Sequence, residues 1–90
     1  MKSSTSIKSK WTVYVLECAD GTLYVGSTTD IARRVEEHNH SPKGASYTKS
    51  RRPVSLRYSE AFDTRSEAQK REAAIKKLSR AKKLELIEVA

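Results

Sequence analysis

The chain has 90 residues, of which 37% are apolar, so it can form one small domain with a single core. Lysine and arginine number 18 against 11 acidic residues, and the resulting charge of +7 points to a polyanionic partner, most commonly a nucleic acid. The composition excludes an intrachain disulfide and a zinc site built from several thiolates, because Cys18 is the only cysteine; no apolar run approaches a membrane span.

The N-terminal segment, residues 1–10, is rich in serine and lysine and lacks the apolar stretch of a secretory signal. We interpret it as a disordered tail, which leaves residues 11–90 as the folded domain. A lone cysteine fits a reducing compartment, so the cytoplasm is the expected location.

Two β-strands, residues 12–18 and 22–26, are predicted on either side of a turn signal and should form a hairpin. A two-residue loop at Asp20 and Gly21 would place Tyr14 and Tyr24 on opposite faces of the sheet. A three-residue loop that also includes Ala19 would place both tyrosines on one face. We predict the three-residue loop, because glycine suits the left-handed position that ends it.

The next element is a helix from Ile31 to about His38, preceded by three residues that favour helix N-termini. Its apolar face carries Ile31 and Val35. Arg34 and His38 follow Ile31 by three and seven residues, so both lie on or beside that face. An arginine there is not in its usual solvated place.

Residues 40–52 form a predicted loop that is rich in serine and cations and contains Tyr47. A strand is predicted over residues 53–62. In it Val54, Leu56 and Tyr58 alternate with polar residues and are expected to face the core.

The second long helix is predicted over residues 66–78, after a capping box that begins at Thr64. Glu72 lies four residues after Ala68 and three before Ile75, so it shares their inward face. A carboxylate in that position needs a reason.

A last helix is predicted over residues 80–88, with Ser79 as its cap. The element order is then β-β-α-β-α-α. We predict an α+β domain in which helices flank a small antiparallel sheet of three strands.

Hydrolysis of a phosphodiester needs an activated water, neutralisation of the phosphate charge and a stabilised leaving oxygen. A hard divalent ion on one or two carboxylates, an arginine with paired donors and a tuned tyrosine or histidine supply these functions. The chain offers Glu72, Arg34, His38 and two hairpin tyrosines. It carries no glycine-rich phosphate loop.

These residues also resemble a known signature. Val13-Tyr14, Tyr24-Val25-Gly26 and residues 30–38 resemble the motifs of GIY-YIG nucleases. Residues 44–53 and 71–78 resemble the small stand-alone bacterial GIY-YIG proteins, long grouped as an uncharacterised family. The resemblance covers residues 11–87 and implies the GIY-YIG nuclease fold.

The resemblance implies catalytic roles on the hairpin and the first helix. One of Tyr14 and Tyr24 would orient or activate the attacking water. Arg34 would stabilise the phosphate, with Arg33 as the alternative alignment. His38 would serve as a proton shuttle.

Further roles follow from the same resemblance. Glu72 would hold a single divalent ion, Mg²⁺ or Mn²⁺, and Gly26 would permit close packing beside the site. The resemblance also places Tyr47 and Thr48 of the loop near the nucleic acid. The net charge, rather than the resemblance, favours Lys49, Arg51, Arg52 and Arg57 as a basic strip for backbone phosphates, with a solvated charge run as the alternative. The chain departs from the pattern at Ser27 and Thr28, where the family often has a lysine, so lysine-assisted chemistry is not implied.

The expected function is a metal-dependent endonuclease that acts on DNA, with structure-specific cutting and roles in repair or recombination as candidates. The alternative is a nucleic-acid-binding module on a nuclease scaffold, with weak or no activity. RNA is a further candidate partner, and a membrane is not expected. A basic surface that only keeps the protein soluble is the remaining interpretation of the charge.

Overall fold

The computed structural model describes residues 10–89, so most of the predicted tail, residues 1–9, lies outside the described residues. The strands and helices confirm the predicted order, with one short helix added in the central loop. In chain order they are β1 (Trp11–Glu17), β2 (Leu23–Thr28), α1 (Ile31–His40), α2 (Ser46–Lys49), β3 (Ser55–Phe62), α3 (Arg65–Lys76) and α4 (Arg80–Val89).

The strands form one antiparallel sheet in the order β2-β1-β3, which confirms the predicted α+β fold. The β1–β2 hairpin has the three-residue loop. Leu16 pairs with Tyr24, and Gly21 has a φ of +85°, which favours glycine. Tyr14 pairs with Gly26, so both tyrosines lie on one face of the sheet as predicted.

The sheet is the middle layer of the domain, with apolar side chains on both faces. One face carries Val13, Val15 and Val25 and packs against α3 and α4. The other carries Tyr14 and Leu16 and packs against side chains of α1. Residues 13–16 of the central strand are therefore all buried, which is why they form an unbroken apolar run rather than an alternating one.

The prediction that Val54, Leu56 and Tyr58 share an inward face is wrong. Opposite β3, Leu16 pairs with Leu56 but Val15 pairs with Tyr58, so one extra residue of β3 forms a bulge. Tyr58 packs with the core below α3 and α4, Val54 packs with the core on the opposite face, and Leu56 is 42% exposed. A period-two pattern assumes an unbroken strand, and the bulge reverses the faces.

Arg52, in the loop after α1, forms hydrogen bonds with the C-terminal end of that helix. Its guanidinium donates to the carbonyl oxygens of Glu37 at 3.2 Å, His38 at 2.5 Å and Ser41 at 2.5 Å. The last carbonyls of a helix lack partners within the helix, so a cation there satisfies and stabilises them. This contact holds α2 against the face that carries the tyrosines.

The predicted helix caps are present. Side-chain oxygens of Asp30, Thr64 and Ser79 each accept a backbone N–H from the first turn of the following helix, at 3.1 to 3.2 Å. Between residues 10 and 89, the helices are too short and too polar for any of them to cross a membrane.

Candidate active site

A buried hydrogen-bonded chain links β1, α1 and α2. The hydroxyl of Tyr14 lies 2.9 Å from Nε2 of His38, and Nδ1 of His38 lies 2.9 Å from Oγ1 of Thr48. The Thr48 hydroxyl donates its one proton to the carbonyl oxygen of Ala45 at 2.9 Å, so it accepts from Nδ1–H. Nε2 is therefore the acceptor of the Tyr14 O–H, and the loop sets the tautomer of the histidine.

The protonation states of this pair agree with that direction. Burial raises the pKa of Tyr14 to about 12, although the adjacent Arg34 guanidinium opposes the shift. Burial also lowers the pKa of His38 to about 4, and the positive charge of Arg34 adds to the effect. Near neutral pH the tyrosine is protonated and the imidazole is uncharged.

Arg34 lies on the same side of the sheet as Tyr14. Its Nη1 donates to the carboxylate of Glu37 at 2.9 Å and to the carbonyl of Lys43 at 3.1 Å, and the side chain is 27% exposed. Those bonds use both protons of Nη1, and the rest of the guanidinium lies beside the Tyr14 hydroxyl. Arg33 instead is 66% exposed, so Arg34 is the arginine at the site.

Glu72 reaches from α3 to the edge strand β2, in the inward orientation expected from its spacing. Ser27 donates its hydroxyl to Oε1 at 2.7 Å, and Nζ of Lys76 lies 2.8 Å from Oε2. The Glu72 side chain is 20% exposed. The carboxylate therefore lies against the strand rather than pointing into bulk water.

Gly26 lies next to Tyr14 and immediately before the residue that contacts Glu72. A Cβ at this position would lie 2.5 Å from the Tyr14 hydroxyl oxygen and 2.7 Å from the ring carbon that bears it. The Tyr14 hydroxyl thus lies against the backbone of Gly26, and the next residue, Ser27, binds Glu72. The Tyr14 phenol and the Glu72 carboxylate therefore contact neighbouring residues of β2, and the Arg34 guanidinium lies beside that phenol.

Tyr24 extends the site into a row of aromatic rings. Its centroid lies 6.5 Å from that of Tyr14, 5.1 Å from His38 and 5.9 Å from Tyr47, which stacks on it. Tyr47 is 38% exposed, and the guanidinium of Arg51 lies 3.9 Å above its ring. The row therefore runs from the buried histidine to the protein surface.

The structure divides the five predicted nucleic-acid contacts of the loop into two groups. Lys49, Tyr47 and Arg51 present surface to solvent. Thr48 is fully buried, and Arg52 uses its guanidinium on the end of α1. Thr48 and Arg52 therefore hold the site together, and the prediction that they contact nucleic acid is not supported by their positions.

The donor set around Glu72 fits a hard divalent ion. It consists of a carboxylate and the Ser27 hydroxyl, and within residues 10–89 no three His, Cys, Asp or Glu side chains gather. Mg²⁺ is commonly held by one or two carboxylates and keeps several waters, whereas zinc sites use three or four protein ligands. The ammonium of Lys76 lies next to Oε2 of Glu72, so a divalent ion at this carboxylate would compete with it.

Sequence reasoning missed one contributor, Ser27, whereas an ion pair of Glu72 with Lys76 is one of the pairings that the sequence allows. Lys76 follows Glu72 by four residues on one helix, a spacing that brings opposite charges together and was readable. Ser27 stands where the family often has a lysine, and its bond to Glu72 joins residues 45 apart. Local patterns contain no signal for such a contact.

Comparisons with known proteins show the family of the chain. The model of the GIY-YIG catalytic domain matches residues 10–85. A UPF0213 protein of Desulfotalea psychrophila is 60% identical over 80 residues, 89% of this chain and 73% of the relative. Another, of Halobacterium salinarum, is 61% identical over 71 residues, 79% of this chain and 91% of the relative.

Two solved structures resemble the fold. They are solution NMR structures of a UPF0213 protein from Bacillus halodurans and of the protein EF2693 from E. faecalis, with TM-scores of 0.58 and 0.61. Each is 45% identical to this chain and is matched over 89% of this chain and 84% of its own. The chain therefore belongs to the GIY-YIG nuclease superfamily, among the small single-domain UPF0213 proteins.

Proposed function

We propose that the protein is an endonuclease that hydrolyses phosphodiester bonds of DNA with one divalent ion, Mg²⁺ or Mn²⁺. The observation that carries the proposal is that Tyr14 and Glu72 contact the neighbouring residues Gly26 and Ser27, with Arg34 beside the Tyr14 hydroxyl. Membership of the GIY-YIG superfamily and the charge of +7 support it. Roles in repair or recombination and a cytoplasmic location belong to the same proposal.

The Tyr14–His38 pair is the proposed path for the proton of the attacking water. Oη of Tyr14 takes that proton while its own proton passes to Nε2 of His38, and the new hydroxide bonds to phosphorus as the ester P–O bond breaks. The leaving oxygen takes a proton from a solvent water, and His38 returns its proton through Tyr14 to the hydroxide left behind. A phosphate anion beside the pair favours the charged imidazole and so assists the transfer. His38 is fully buried and acts through Tyr14.

Tyr14 is preferred over Tyr24 for this step because its hydroxyl has a proton acceptor 2.9 Å away. Within the described part of the chain, the Tyr24 hydroxyl has no such bond. Tyr24 instead packs its ring against His38 and Tyr47. Tyr14→Phe should therefore reduce the cleavage rate far more than Tyr24→Phe.

In this proposal Arg34 and Glu72 stabilise the negative charge of the phosphate, Arg34 directly and Glu72 through the divalent ion. The guanidinium of Arg34 binds the phosphate oxygens on which charge builds as hydroxide adds. Glu72 would hold the ion, and the hydrogen bond from the Ser27 hydroxyl fixes the position of its carboxylate. A bound ion would neutralise phosphate charge and lower the pKa of its water.

The test is cleavage of labelled single-stranded, duplex and branched DNA with Mg²⁺, with Mn²⁺ and with chelator. We expect metal-dependent cutting that Glu72→Gln abolishes and Arg34→Ala reduces. Glu85→Gln, which changes an exposed carboxylate on α4, is the matched control and should cut as the unaltered chain does. No cutting of any substrate, or equal cutting by Glu72→Gln, would overturn the proposal.

A second candidate is a nucleic-acid-binding module with weak or no catalysis. The contacts of Glu72 favour it, because Ser27 and Lys76 already engage both carboxylate oxygens. This function predicts salt-dependent binding of DNA or RNA that survives chelator and Glu72→Gln. Binding measured beside the cleavage assay separates the two candidates.

A further inference from the structure

A surface pocket of about 240 Å³ lies beside the site, between the edge strand β2 and the two C-terminal helices. Its walls combine aliphatic and aromatic side chains with two cations. They are formed by Leu23, Tyr24, Val25, Tyr47, Lys76 and Lys83. The proposed cleavage step does not use the pocket itself, although Tyr24, Tyr47 and Lys76 also border the site.

The pocket is continuous with the proposed active site through two of its walls. Tyr24 packs against His38 with ring centroids 5.1 Å apart. Lys76 lies 2.8 Å from Oε2 of Glu72. Any group that fills the pocket therefore sits next to a phosphate bound between Arg34 and Glu72.

The chemistry of the walls selects the occupant. The rings of Tyr24 and Tyr47, 27° from parallel, give the pocket aromatic walls against which a nucleobase can pack. Lys83 adds positive charge that complements a phosphate, whereas the charge of Lys76 is paired with Glu72. The volume lies below the ~300–1,000 Å³ typical of whole-ligand pockets, which suits a single base or sugar.

We propose that this pocket binds one unpaired nucleotide of the substrate strand, adjacent to the phosphate that is cut. The base packs against Tyr24 and Tyr47, and its phosphate is bound by Lys83. The inference rests on the proposed function for the position of the cut, and it adds the substrate class. Bases within a duplex are covered by their neighbours, so the pocket selects an unpaired or extruded nucleotide.

Helix α4 offers a matched pair of cations for the test. Lys83 lines the pocket, and within residues 10–88 it forms no ion pair. The adjacent Lys82 lies 3.7 Å from Glu85 and lines a different depression. Removing either lysine changes the net charge equally, so a difference between the two variants reports the pocket rather than general electrostatics.

Binding is measured by fluorescence anisotropy in chelator, so that no cutting is required. The probes are a labelled single strand, the same sequence fully paired, and a single strand with abasic positions that keeps the phosphates but lacks the bases. Lys83→Met should weaken binding to the single strand about tenfold, and Lys82→Met about twofold or less. On the duplex the two variants should be equal.

Tyr47→Leu supplies the second, independent measurement. It should weaken binding to the single strand and leave binding to the abasic strand unchanged, because the lost contact is with a base. The proposal would be overturned if Lys82→Met and Lys83→Met weakened binding to the single strand equally. It would also be overturned if Tyr47→Leu weakened binding to the intact and abasic strands equally. Thermal unfolding checks that each variant is folded. Failure of cleavage with this binding pattern intact would instead reject the proposed function alone.

Discussion

The contact between Gly26 and Tyr14 gives the sharpest test of how the site is built. In Gly26→Ala the new Cβ would lie 2.5 Å from Oη and 2.7 Å from Cζ of Tyr14, about 1 Å closer than ordinary contact. The tyrosine cannot easily yield, because it is 1% exposed and bonded to His38. Overpacking typically costs about 1–3 kcal/mol, and a broken hydrogen bond adds roughly 1 kcal/mol.

We therefore expect Gly26→Ala to lower the free energy of unfolding by about 2–4 kcal/mol. Activity should fall further than stability explains, because the displaced hydroxyl leaves Nε2 of His38. Urea denaturation measures the first effect, and single-turnover cleavage of DNA by the folded variant measures the second.

A double-mutant cycle isolates the contact. Tyr14→Leu removes the three side-chain atoms nearest to the added Cβ, so Gly26→Ala should cost less than about 1 kcal/mol in that background. If Gly26→Ala costs the same with Tyr14 and with leucine at that position, steric contact between the two is not the cause. The packing argument would then be refuted.

Three further predictions concern the same site. The folded-state pKa of His38 lies near 4, below its usual 6.5, so the folded state resists protonation. The contribution of neutral His38 to the free energy of unfolding should be fully present above pH 6.5 and fall by up to about 3 kcal/mol as the pH drops towards 4. His38→Gln should flatten this pH dependence in urea melts, and an unchanged slope would contradict the assignment. Thr48→Val removes the acceptor of Nδ1–H and should cost about 1–3 kcal/mol in the same melts, whereas Thr48→Ser should be much milder; equal costs would show that the hydroxyl is not needed. Lys76→Met frees Oε2 of Glu72 and should tighten Mn²⁺ binding in calorimetry without DNA, relative to Lys77→Met; unchanged or weaker binding rejects competition between ammonium and metal.

Local patterns in the sequence were sufficient for much of the site. The loop at Gly21 follows from the one residue type that readily adopts a positive φ, and it decides that Tyr14 and Tyr24 share a face. Helical spacing alone brought Arg34 and Glu72 onto inward faces. Each of these features depends on residues only a few positions apart.

The family resemblance added what spacing could not. Spacing marked a carboxylate and an arginine as unusual, and charge indicated a polyanion, but neither specified a reaction. The tyrosine and glycine motifs of the hairpin pointed to the GIY-YIG nucleases, and the match over residues 10–85 confirms membership. Cutting of DNA, and the ion that supports it, remain predictions to be tested by the experiments above.

Tertiary structure decided which partners each inward residue meets. The bulge in β3 placed Leu56 and Tyr58 on opposite faces of the sheet, and the burial of Thr48 turned a predicted nucleic-acid contact into the partner of His38. Ser27 and Glu72, 45 residues apart, meet only because α3 packs across β2. Periodicity states which face of an element is buried, but the contacts across that face depend on the packing of distant elements, and no local pattern contains them.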